Sequence, residues 1–102
     1  MAAAKEYIDA NWQEEFDAHA VAKAVNVSYS TMAHLFKQHE ELTLQEYYNE
    51  VKIDHIKEKL ADKSLTVAEA FSFCGADSQG AIAKTFKKLT GMTPTEYRNS
   101  LK

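Results

Sequence analysis

The sequence predicts an all-α fold: seven helices forming two helix-turn-helix units joined by a long central helix. Three observations carry that prediction. One proline and three glycines stand in 102 residues, 45% of them hydrophobic, which favours helices over turn-rich sheets. Ser, Thr and Asp recur just ahead of apolar residues at helical spacing, where N-caps belong. One phrase is also written twice, fifty residues apart: "FKQHEELTLQEY" from Phe36 and "FKKLTGMTPTEY" from Phe86. Each copy opens with Phe-Lys, places a Thr seven residues on and closes with Glu-Tyr.

The elements follow in order. A first helix over about 4–13 sets Tyr7, Ile8 and Trp12 at helical spacing. Asp17 caps a second, about 18–25. "VNVS" breaks the pattern: Asn26 tolerates the left-handed conformation of a tight turn, and Ser28 caps a third helix, about 29–39, with Met32, Leu35 and Phe36 inward. Thr43 with Glu46 forms a capping box for the long helix, about 44–61, whose apolar residues spread over more than one face. Thr66 with Glu69 is a second capping box, opening a helix over about 67–73. Gly75 supplies a turn, and Asp77 or Ser78 caps the sixth helix, about 79–89, with Ile82, Phe86 and Leu89 inward. Gly91 ends it; Thr93 and Pro94 are N-cap and first residue of the last helix. Each copy of the phrase is thus a helix end, a turn, a cap and the next helix start, and each follows a short helix, a turn and a second helix. The chain reads as one domain over 1–102: a first helix-turn-helix subdomain (1–42), a linker helix (43–61) and a second subdomain (62–102).

Charge divides between the halves. Residues 1–50 hold three lysines against nine acids, net −6; residues 51–102 hold nine Lys and Arg against six acids, net +3. The second half is electrostatically the better suited to a polyanion. No apolar run approaches the roughly 18 residues of a membrane span, and no secretory signal pattern opens the chain. Cys74 is the single cysteine, so no internal disulfide forms, which fits a reducing cytoplasm. The start "MAAAKEYI" is compatible with a complete small protein and with a domain given a new start.

"VAKAVNVSYSTMAHLFKQHEELTLQEYYNEVKI" and "LTVAEAFSFCGADSQGAIAKTFKKLTGMTPTEYRNS" resemble the DNA-binding domain of AraC/XylS-type bacterial transcription regulators, without gaps from about Tyr7 to Arg98. The end, "FKKLTGMTPTEYR", matches the family's C-terminal signature almost letter for letter, and "VSYSTMAHLFK" matches its first recognition-helix segment. Some positions depart from the family pattern. Ala70-Phe71 stands for the usual Ile-Ala, Ala76 for Phe, Gly80-Ala81-Ile82 for Ser-Tyr-Phe, Glu41 for a turn glycine, and His34 and Lys84 for arginines.

The resemblance implies sequence-specific binding of double-stranded DNA, with two recognition helices (about 29–39 and 79–89) in successive major grooves. A rod of about 18 residues at roughly 1.5 Å each spans about 27 Å, against roughly 34 Å per turn of B-DNA. On the first reader Ser30, Ala33, His34 and Lys37 fall outward; on the second Gln79, Gly80, Ala81, Lys84 and Lys87 do. Gln suits adenine, Lys suits guanine O6/N7, and Ala33 or Ala81 suits a thymine methyl. Phosphate contacts fall to Lys37, Lys87, Lys88, the hydroxyls of Ser28, Ser78 and Thr93, and helix N-termini, with Arg98 serving packing or phosphate. The family further implies fusion to a sensing or receiver domain, and RNA polymerase as a partner.

Phe36, Phe86, Tyr47 and Tyr97 read as core, and Cys74 as a small buried apolar residue. His19, His39 and His55 read as solvated or partly packed, and no histidine pair has zinc-site spacing with a cysteine, so neither metal nor cofactor is expected. Glu40-Glu41 reads as a solvated helix end. No paired carboxylates, nucleophile with a base, or glycine-rich phosphate loop supports an enzyme. The runner-up is a helical protein-interaction module that keeps the scaffold with weak or lost DNA binding, motivated by the −6 first half and the bland face at 79–84.

Overall fold

The computed structural model describes residues 2–101. It contains seven helices among the described residues: α1 (Ala2–Ala10), α2 (Ala18–Ala24), α3 (Tyr29–Glu40), α4 (Leu44–Leu60), α5 (Val67–Phe73), α6 (Ala81–Thr90) and α7 (Pro94–Ser100). They form two compact units whose boundary falls between Val51 and Lys52, inside α4. The first half of α4 buries Leu44 and Tyr48 in the first unit; the second half carries the buried Ile53, Ile56 and Leu60 of the second. The several apolar faces of this helix are therefore two successive demands on one rod.

In the first unit α1 packs on α2 and α2 on α3. Ala4, Ile8, Val21, Ala22, Met32 and Phe36 form the core with Leu44 and Tyr48. Asp17 caps α2, accepting from the amides of His19 and Ala20 at 3.0 and 3.2 Å. Asn26 takes the left-handed turn conformation (φ 59°), and Ser28 caps α3 by accepting from the Thr31 amide. α1 ends at Ala10, short of the expected 13. Asn11 turns back on it, its backbone amide donating to Tyr7 and Ile8 and its side-chain amide to the Tyr7 carbonyl at 2.9 Å, and Trp12 falls in the turn that follows.

In the second unit Ala70, Phe71, Cys74 and Phe86 are fully buried with Ile53, Ile56 and Leu60. The swap of small and large residues at Ala70-Phe71 is thus taken up inside the core, where total volume matters more than order. Cys74 is buried as expected, and burial pushes its thiol pKa up. Lys52 is also buried, at 3% exposure, and burial lowers its pKa.

The repeated phrase has one physical meaning in both copies. Phe36 meets Tyr47 edge-on at 5.8 Å, and Phe86 meets Tyr97 edge-on at 5.5 Å, the arrangement ring quadrupoles favour. Thr43 with Glu46 and Thr93 with Glu96 each close a reciprocal capping box. Between ring and cap the helix ends on a left-handed residue, Glu41 (φ 62°) in the first copy and Gly91 (φ 78°) in the second. The phenylalanines are core; the two tyrosines are half-buried at its edge.

Three expectations for α3 and α6 are corrected. Neither Asp77 nor Ser78 caps α6. The Asp77 carboxylate accepts from the Gln79 amide at 2.8 Å and closes its own turn, so Gly80, extended at φ −95°, becomes the N-cap and the helix starts at Ala81. Leu89, in the last turn before Gly91, is 48% exposed rather than inward, and Ile82 and Leu35 are half-buried, while Met32, Phe36 and Phe86 are fully buried as expected. Glu40 is not simply solvated, being paired with Lys5 of α1.

Candidate nucleic-acid interface

The second unit gathers its candidates. Phe86 fixes which side of α6 faces the core, and Ala81, Lys84, Lys87 and Lys88 are exposed on the rest of the helix. Lys84 and Lys87 open onto a groove of about 740 Å³ with Ser78, Gln79 and Gly80 of the preceding turn. The groove is also lined by the N-cap and first residues of α5 (Thr66, Val67, Ala68) and of α7 (Thr93, Pro94, Thr95). Six expected residues therefore converge: Ser78, Gln79, Gly80, Lys84, Lys87 and Thr93. Thr66, Ala68 and Thr95 were not expected; the Thr66–Glu69 capping box was the signal that a helix start stood ready to join them.

Gln79 and Gly80 present themselves from the turn rather than from the helix. Gly80 has an ordinary φ, but a Cβ there would stand 3.3 Å from the Cβ of Asp77, so a larger residue would crowd the turn. The Thr93 hydroxyl is engaged by the Glu96 amide at 3.1 Å. The Thr93 amide and hydroxyl together hold the Glu96 carboxyl below the usual glutamate range. Lys88 and Ala81 are exposed without lining the groove. Arg98 lies apart from it, donating to the Asp62 carbonyl at 2.9 Å beside Lys63, Ser64 and Asn99. That bond ties the end of the chain to the α4–α5 turn, which is packing first.

The first unit is less open-handed. Ser30 and His34 are exposed on α3, while Ala33 is half-buried. Ser28 spends its hydroxyl on capping, accepting from the Thr31 amide and donating to the Thr31 hydroxyl at 2.8 Å. Lys37 folds back so that its ammonium donates to the Glu41 carbonyl at 3.4 Å. His19 stacks on Tyr29 at 4.6 Å, beside the start of α3. Among the described residues no group of His, Cys, Asp and Glu gathers in a way that would hold a metal ion.

A family model described as a helix-turn-helix domain matches residues 21–100. The chain belongs to the AraC-type helix-turn-helix family. This AraC-type domain is 30% identical over 96 residues to the HTH-type transcriptional regulator YijO of Escherichia coli K12, covering 94% of this chain and 34% of that protein. It therefore spans about a third of the length of such curated relatives. A transcriptional regulator with an AraC-type DNA-binding domain from Chromobacterium violaceum has the same architecture (TM-score 0.85, 25% identity, 97% and 88% of the two chains). The DNA-binding domain of AdpA, solved in complex with a target DNA, superposes with a TM-score of 0.86 at 20% identity over 97% and 89% of the chains. The AraC-type fold and family are those of DNA-binding transcription regulators, not of enzymes.

Proposed function

We propose that this domain binds double-stranded DNA sequence-specifically, as the output module of a bacterial transcription regulator. The observation that carries the reading is the groove of the second unit. There a lysine-bearing helix face meets the starts of two further helices, which is the chemistry of a base reader flanked by phosphate contacts. Lys84 and Gln79 read base edges; Lys87, Lys88, Ser78 and Thr93 hold phosphates. Ser30, Ala33 and His34 of α3 are the corresponding readers of the first unit, with Ser28 and Lys37 beside the backbone. The two readers enter successive major grooves of the duplex. Arg98 supports this surface through the α4–α5 turn.

In the parent protein the domain is joined to a sensing or receiver domain and works in the cytoplasm with RNA polymerase. No helix among the described residues is long and apolar enough to cross a membrane.

Selection of bound sequences from a random duplex pool tests the reading, followed by a salt titration on the winner. Three lysine–phosphate contacts, from Lys37, Lys87 and Lys88, give a slope of log K against log salt of about −2.7. No enrichment, with no binding at low salt, overturns the proposal in favour of a helical protein-interaction module, the reading that the −6 first half and the folded-back Lys37 would then explain.

A further inference from the structure

The first unit contains a cavity that the DNA-binding reading does not use. It measures about 300 Å³ and lies between the end of α1, the 11–17 connection, the start of α2 and Tyr48 of α4; no residue of α3 lines it. Three rings form its walls: Tyr7, Phe16 and Tyr48. Phe16 and Tyr48 are tilted 41° to each other at 5.1 Å, and the Tyr48 hydroxyl is pinned by donating to the Glu14 carbonyl at 2.6 Å, so this aromatic corner is preformed. Ile8 and Val21 make the floor apolar.

The polar lining has one sign. Glu14, Glu15 and Asp17 reach the cavity, and no Lys, Arg or His does. Asp17 is committed to capping α2 and Glu14 gives its backbone carbonyl to Tyr48, which leaves the exposed Glu15 as the carboxylate that acts on the Tyr48 ring. Glu15 lies close enough to the Tyr48 phenol to help burial raise its pKa. Electron-rich ring faces beside a carboxylate select an organic cation over an anion or a neutral molecule. At about 300 Å³ the cavity is at the lower limit for small-molecule sites, enough for one six-membered ring and a short arm.

We propose that this cavity is a binding site for a small aralkyl ammonium ion, its ring held against Phe16 and Tyr48 over Ile8 and Val21 and its ammonium facing Glu15. The site is lined by no residue of α3.

The test is a titration of the full chain with benzylamine hydrochloride, followed by amide chemical shifts, with benzyl alcohol as the uncharged isostere and ammonium chloride as the ionic control. Saturable shifts confined to residues 7–21 and the neighbourhood of Tyr48 are expected. Glu15→Gln, on an exposed residue that leaves the fold intact, should weaken benzylamine by about fivefold, and benzyl alcohol should bind about tenfold more weakly than benzylamine. Ala20→Leu, which fills the cavity, should abolish the saturable shifts. The proposal is overturned by shifts that ammonium chloride reproduces, by benzyl alcohol binding as tightly as the amine, or by Glu15→Gln leaving affinity unchanged.

Discussion

Phe86→Ala puts the architecture of the second unit to a quantitative test. Phe86 has no exposed surface, lies 6.2 Å from Phe71 and meets Tyr97 edge-on at 5.5 Å, so its ring joins three helices of one small core. Truncation removes the transfer energy of the ring and leaves a void that its neighbours fill only in part, a loss of about 3–5 kcal/mol. Both ring contacts are lost with it, and these belong within that figure rather than on top of it. A domain of this size has roughly 5–15 kcal/mol in total, so the loss is a large share of what holds the unit folded. At about 4 °C or more per kcal/mol, the melting midpoint followed by far-ultraviolet circular dichroism should fall by about 12 °C or more. Trp12, the single tryptophan, belongs to the first unit, and its fluorescence reports that unit separately. A variant that melts within about 2 °C of the parent would show that Phe86 does not carry the core, since a fully buried ring cannot be removed so cheaply.

Two further outcomes are expected. Lys84→Ala should cost about 1–3 kcal/mol on the preferred duplex and relax preference at particular base pairs; equal loss on all sequences in a competition assay would assign Lys84 to phosphate alone. The Glu96 carboxyl, stabilised as its anion by the Thr93 amide and hydroxyl, should titrate below ordinary glutamate when followed by side-chain carbon shifts, and Thr93→Ala should move it up. Because the folded pKa is depressed, the stability contributed by this cap is present above the unfolded glutamate value of about 4.3 and is lost as pH falls through the lower folded value. Because the backbone amide of residue 93 is the larger cause and survives the substitution, a parent Glu96 that titrates like an ordinary glutamate is the result that would refute the assignment.

Local signals made most of the fold legible. Thr43–Glu46, Thr66–Glu69, Thr93-Pro94 and Asn26 announce their turns because cap and partner are close in sequence. The start of α6 was misread because Gln79 and Gly80 continue the spacing of the helix, while the contest between the Asp77 carboxylate and a helical cap is decided by geometry. Leu89 fits the apolar period yet lies beyond the core, since periodicity reports direction and not depth. Of the candidate interface, the residues on and before α6 were found through the family resemblance. Thr66, Ala68 and Thr95 were not, because α5 and α7 reach the groove only after folding. The burial of Lys52 had no sequence signal at all.

Lys37 is the only lysine on α3, and its ammonium is turned back onto the end of its own helix. On the proposed reading an approaching duplex therefore meets three exposed lysines on α6 and a single one on α3, whose charge is held at the helix end. That reading expects the second unit to dominate encounter, with an on-rate that falls as ionic strength rises.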